Sequence, residues 1–193
     1  MDDDPGWGLS LRTLVMILVP GGMAAEQRRA DARGADGLVL LRQLCVAFLV
    51  SLGLFGVVLA FIYAGPLEDP MAFAPWLVLA VGVGGLVGVP FVERPLDCAS
   101  DASLAATYRT RFFLRVAAAQ APALFGFVGF FLTAWWLYPL GLAFALVGFA
   151  RLAPTVRHLA ADQEVLLASG CNRDLVHALR HPAGSGPGGD TRH

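Results

Sequence analysis

Cys171, His177 and His181 place a thiol and two imidazoles near the end of this chain, the histidines one helical turn apart. That is a start on a metal site, but one cysteine and two histidines at this spacing complete no zinc signature. They are read as solvated polar residues of a short helix, and no metal or cofactor is expected. The three cysteines, Cys45, Cys98 and Cys171, are odd in number and far apart. They fit neither a disulfide framework nor paired zinc ligands. Glu93, Asp97 and Arg115 could serve a lipid-directed enzyme only by converging on one pocket. No nucleophile–base pair, phosphate loop or dinucleotide fingerprint is present.

Gln120 is the notable polar group inside an apolar stretch, two residues before Pro122. The proline withholds the N–H that would bond the carbonyl of Ala118. A buried amide needs a partner, so Gln120 is expected to bond a freed carbonyl or a neighbouring helix; a polar ligand or subunit contact is the sharper alternative. Small residues recur at helix-packing spacing: Gly84 with Gly88, Gly53 with Gly56, Gly126 with Gly129, and Gly141 with Ala145 and Gly148. Such residues let membrane helices approach closely. Gly84, Gly88, Gly126 and Gly129 are the packing candidates, within the chain or toward a second copy.

The elements that carry these residues follow from composition. The 193 residues are 56% hydrophobic and 15% charged, against roughly 25% charged in soluble domains. No charge occurs over 43–67, 70–92 or 116–150, runs of 25, 23 and 35 residues. About 20 apolar residues cross the ~30 Å hydrocarbon layer, so the first two runs fit one crossing each and the third fits two. The expected fold is an all-α integral membrane protein with four transmembrane helices, over about 40–64, 73–92, 112–133 and 137–152. The turns are an acidic segment around Glu68 and Asp69, a polar loop 96–111 in which Ser100 or Asp101 could cap the next helix, and Trp135-Trp136-Leu137-Tyr138-Pro139, an aromatic interface signature.

All fourteen basic residues are arginine, read as the mark of a high-GC bacterial coding sequence. In the four-pass arrangement every one falls on the same side, and neither opposite loop contains any. Basic residues near crossings resist translocation, so both termini are placed in the cytoplasm and the protein in the inner (plasma) membrane. Arg42, Arg94, Arg115 and Arg151 are expected to anchor at the inner interface, with Arg42 snorkelling. No Asp, Glu, Lys or His lies between the membrane surfaces, where ion paths and proton relays place them. This argues against a self-contained ion pump or proton-coupled transporter.

Residues 1–37 form a cytoplasmic segment. Its apolar stretch Leu9–Val19 is too short to span, and the opening Asp2, Asp3 and Asp4 lack the basic character of a signal peptide. A short interfacial helix, or a true start at Met16 or Met23, are the two readings left open. After Pro154 the chain reads as a cytoplasmic helical tail over 155–181: a helix Thr155–Ser169, a break at Gly170, and a second helix Arg173–Arg180 capped by Asn172. The second helix is too short and too mixed in charge for DNA recognition, so no nucleic acid partner is expected. Residues 182–193 have a disordered composition.

Residues 79–132 carry a glycine-rich helix (Gly82, Gly84, Gly85, Gly88), a loop opening Arg94-Pro95, and a second helix reading Ala119-Gln120-Ala121-Pro122-Ala123-Leu124-Phe125-Gly126. This stretch resembles the helical hairpin of rotary ATP synthase proteolipids, the subunit c family. The resemblance implies a lipid-embedded hairpin around a cytoplasmic loop, with Gln120 where that family has its ion-carrying carboxylate. An amide cannot bind and release a proton, so the rotor mechanism does not carry over.

These readings converge on a non-catalytic accessory, scaffold or assembly subunit, with the lipid bilayer and a membrane-protein partner or second copy as its contacts. The alternative is an oligomeric channel or transport component for a small neutral solute, lined by Gln120 and the glycine faces.

Overall fold

The computed structural model describes residues 7–8, 36–63, 65, 71–92 and 95–180. The stretch Leu9–Val19, the acidic residues Glu68 and Asp69, the Glu93–Arg94 pair, His181 and the 182–193 terminus lie outside the described residues. Among those described, all regular structure is helical. Six helices follow in order: α1 (Gly37–Ile62), α2 (Ala74–Val92), α3 (Asp101–Leu132), α4 (Leu137–Leu152), α5 (Val156–Ala168) and α6 (Leu175–Arg180). Two of them, α1 and α3, are long and apolar enough to cross a membrane; the number becomes three if α4 and α5 are taken as one broken span.

Local chemistry explains where these helices begin and end. Asp36 caps α1, its Oδ1 accepting from the N–H groups of Leu38 (3.0 Å) and Val39 (3.3 Å), so the helix starts three residues before the expected Leu40. Ser100 and Ser103 cap α3 reciprocally, each hydroxyl accepting the other's N–H, as in a capping box. Helix α3 therefore takes in most of the polar stretch expected as loop, and its 32 residues measure on the order of 48 Å at ~1.5 Å per residue. The hydrocarbon layer accommodates only part of that length.

Thr155 caps α5 through His158 N–H, and Gly170 ends it at φ +85°. Gly170 N–H bonds Leu167 O and Cys171 N–H bonds Leu166 O, the paired closure of a Schellman motif. Nothing lies within 4 Å of a Cβ built on Gly170, so its requirement is purely conformational. Gly170→Ala is expected to cost about 1 kcal/mol, read as a fall of a few degrees in thermal unfolding midpoint, with Gly170→Asn milder. Helix α6 is capped by Asp174, whose Oδ1 accepts His177 N–H at 3.1 Å. This corrects the expected Asn172 cap: the chain from Cys171 to Asp174 is still non-helical, so the capping position falls two residues later.

The chain forms two compact units: 1–44, 95–109 and 154–193 in the first, 45–94 and 110–153 in the second. The second unit is built from the apolar lengths of α1 and α3 with α2 and α4, and α2 packs on α4 through Ala74, Val78 and Leu137. Its large apolar side chains are turned outward: Phe61 is 86% exposed, Phe91 85% and Trp76 74%. A surface of that kind calls for lipid or a protein partner. The first unit has an ordinary buried core of Leu38, Leu41, Leu104, Tyr108, Leu159, Leu166, Leu175 and Leu179.

Candidate functional site

In the second unit the helices close on one another at glycines. A Cβ built on Gly126 would sit 2.5 Å from the Leu137 carbonyl oxygen, and one on Gly129 2.8 Å from the Leu137 side chain. One on Gly148 would meet Ala119 Cβ at 2.8 Å, and one on Gly141 would overlap the Pro122 carbonyl. Gly82 holds the Phe144 ring against its Cα. Gly85 abuts the Ala118 carbonyl oxygen, 2.9 Å from its built Cβ. Ala118 is the residue whose carbonyl Pro122 leaves without its usual donor, and that oxygen lies against the bare Cα of Gly85 in α2.

Gly84 and Gly88, by contrast, have nothing within 4 Å of a built Cβ among the described residues, and neither does Gly53. Within α2 the inward pair is Gly82 and Gly85. Gln120 is half-buried, and its amide makes no hydrogen bond among the described residues. Tyr138, expected only as part of an aromatic turn, is buried, and its hydroxyl donates to the Leu52 carbonyl of α1. Tyr63 stacks edge-on with Phe130, and Thr133 Oγ1 donates to Met71 O at 3.2 Å. These contacts gather the ends of α1 and α3 and the starts of α2 and α4, with Tyr63, Phe73, Trp76, Trp135 and Trp136 all exposed there. Such rings are those that settle at a membrane–water interface.

The first unit concentrates the charged chemistry. Arg42, expected to snorkel as an interface anchor, is instead the largest fully buried side chain among the described residues, 0% exposed. Its Nε–H donates to Pro154 O at 3.0 Å, and its guanidinium lies 5.5 Å from the centre of the Trp7 ring. Arg180 Nε–H donates to Asp36 Oδ2 at 3.0 Å, tying the end of α6 to the cap of α1. Gly37 completes that junction, since a Cβ there would lie 2.5 Å from Leu179 O and 2.6 Å from an Arg109 nitrogen. Arg109 Nε is buried and unpartnered among the described residues. Arg151 is exposed in the last turn of α4, Arg115 is half-buried, and Arg94 lies outside the described residues.

A second tie joins the loop before α3 to the turn after α5. Arg173 donates from Nε to Cys98 O (3.0 Å), from Nη1 to Asp101 Oδ1 (2.6 Å) and from Nη2 to Ala99 O (3.0 Å). Gln163 locks the same turn, donating to Arg173 O and accepting Leu175 N–H. Cys98 and Cys171 are joined as a disulfide, 73 residues apart in sequence with Cα atoms 6.0 Å apart. This corrects the expectation that the cysteines form no framework: an odd count hid one pair and one buried free thiol, Cys45. It also takes Cys171 out of any metal set with His177. Asp97, the carboxylate considered for lipid chemistry, accepts Ala99 N–H at 2.9 Å and shapes its own loop.

Asp36 and Arg173 were not singled out from sequence. Asp36 had a readable signal, an acidic residue just before an apolar helix; Arg173 had none, because its partners are more than 70 residues away. No protein family, curated protein or solved structure matches the chain.

Proposed function

We propose that this chain is a four-pass inner-membrane protein with both termini cytoplasmic, acting as a non-catalytic accessory, scaffold or assembly subunit of a membrane complex. The observation that carries this reading is the glycine seam. In the second unit helix meets helix at backbone distance, at Gly126, Gly141 and Gly148, which favours a rigid support over a lined path. Orientation is supported by charge: the end bearing Tyr63, Trp76, Trp135 and Trp136 has no arginine beside it in sequence, as the positive-inside rule requires of an outer face. In this arrangement α2 and α4 cross as shorter helices beside α1 and α3, and the first unit presents α5 to the cytoplasm.

The test is affinity capture of the tagged chain from membranes solubilised in mild detergent, with mass spectrometry of co-purifying proteins. Arg157 and Glu164 lie on one exposed face of α5, away from buried Leu159 and Leu166. One partner complex is expected in stoichiometric amount, and the double charge reversal Arg157→Glu/Glu164→Arg is expected to lower its recovery about tenfold or more, equivalent to about 1.4 kcal/mol. The amide of Gln120, without a hydrogen bond among the described residues, favours a second reading, an oligomeric path for a small neutral solute. Recovery of the protein alone as a discrete homo-oligomer, with solute flux lost in Gln120→Leu, would replace the first reading with the second.

A further inference from the structure

We propose that Cys98 and Cys171 are a redox-active pair, cycling between thiols and a disulfide by exchange with small-molecule disulfides of the glutathione type, and that closure clips the tail to the start of α3. The inference rests on the proposed cytoplasmic placement of the first unit. Two observations meet there. The bond itself joins the loop before α3 to the turn after α5, and structural disulfides are a feature of oxidising compartments, whereas cytosolic ones are transient or sensing. The arginines that share the unit, Arg42, Arg109, Arg173 and Arg180 among them, argue for the reducing side of the membrane.

Contacts other than the bond tie the same two segments together. The three hydrogen bonds from Arg173, the next residue but one to Cys171, fix the backbone of Cys98 and Ala99 and the carboxylate of Asp101. The Schellman closure at Gly170 aims Cys171. Buried Leu175, Ala178 and Leu179, each 0% exposed, seat α6 independently. The Cα separation of 6.0 Å is that of ordinary disulfides. Cys98 is the more accessible partner, half-buried where Cys171 is buried.

The reaction balances as two displacements. The Cys98 thiolate attacks one sulfur of the small disulfide, forming a mixed disulfide and expelling one small thiolate. The Cys171 thiolate then attacks Cys98 Sγ, forming the protein disulfide and expelling the second. Both small thiolates take up the protons released by the two cysteines. The protein is oxidised by two electrons and one small disulfide is reduced to two thiols.

The test is thiol trapping of the full chain in cells, before and after exposure to a thiol-oxidising diazene and after recovery. Free thiols are blocked on acid quench, and reducible ones are then labelled with a heavy maleimide and read peptide by peptide, Cys45 serving as internal reference. Cys98 and Cys171 are expected to be thiols at rest, to gain heavy label together by about tenfold or more on oxidation, and to lose it on recovery. Cys98→Ser is expected to abolish the gain at Cys171. In parallel, Asn172→Cys, an exposed position outside α5, in a chain carrying Cys45→Ala, Cys98→Ser and Cys171→Ser is probed in intact cells with a membrane-impermeant maleimide. Protection there, with thiols that never oxidise or a bond already formed at rest, overturns the redox pair and leaves the orientation standing. Labelling from outside overturns the orientation, and the redox pair with it.

Discussion

Replacing Gly141 by leucine is expected to leave no folded protein to purify, and Gly141→Ala to lower the unfolding midpoint in detergent by several degrees. The new Cβ has no room: it would overlap the Pro122 carbonyl oxygen and lie 3.1 Å from Ala123 Cα. Both neighbours are backbone, so no rotamer change relieves the clash. Overpacking of this kind costs about 1–3 kcal/mol for modest insertions and more where the surroundings cannot yield, against a total stability of about 5–15 kcal/mol. Gly84→Ala, on the open side of α2, is the control and should unfold with the parent. The reverse order, a tolerated Gly141→Ala and a damaging Gly84→Ala, would mean that the inward face of the seam has been misassigned.

Arg42→Ala is expected to be the most damaging charge removal in the chain. It strands the Pro154 carbonyl, a loss of about 1–3 kcal/mol for a buried polar group left unpaired. It also removes the cation from the Trp7 ring, worth roughly 1 kcal/mol, and empties the volume of the largest fully buried side chain. The sum is on the order of 4 kcal/mol, enough to loosen the first unit so that trypsin cuts the backbone after Arg157 and Arg173, which the folded helices and turn protect. Arg42→Lys should rescue little, because an ammonium is a compact point charge that cannot both bond the carbonyl in the guanidinium plane and lie flat on an indole. Arg42→Met, which restores volume without polarity, separates the two contributions: stability near that of Arg42→Ala assigns the loss to the polar contacts. Full stability in all three variants would show that Arg42 is a bystander.

Much of this architecture was legible because it is written locally. Helix α4 lies at the expected 137–152, since Trp136 and Pro139 open it and Pro154 closes it, all within a few residues. The break at Gly170 was equally local, a glycine meeting the need for positive φ at a helix end. The start of α1 was misplaced by three residues because hydropathy marks where lipid begins, while the helix begins at its cap, Asp36. The Ser100 cap was legible in the same way and starts α3 at Asp101, although hydropathy placed the apolar helix only from Phe112.

The glycines show the limit more sharply. Gly84-x-x-x-Gly88 is the pattern that spacing brings forward, yet the close approaches of α2 are made by Gly82 and Gly85. Residues on a helix are turned by about 100° from one to the next, so which of four neighbouring glycines faces inward depends on how the whole helix is rotated in its bundle.

By itself the sequence determined that this is a helical protein with apolar spans and all its arginines in particular segments, because hydropathy, charge and capping act over a few residues. Only the tertiary structure decided that Arg42 is an internal strut, that Arg173 bonds three groups of a distant loop, and that Cys98 meets Cys171 across 73 residues. Those pairings are set by the packing of whole helices, which brings together groups whose separation in sequence leaves no periodic trace.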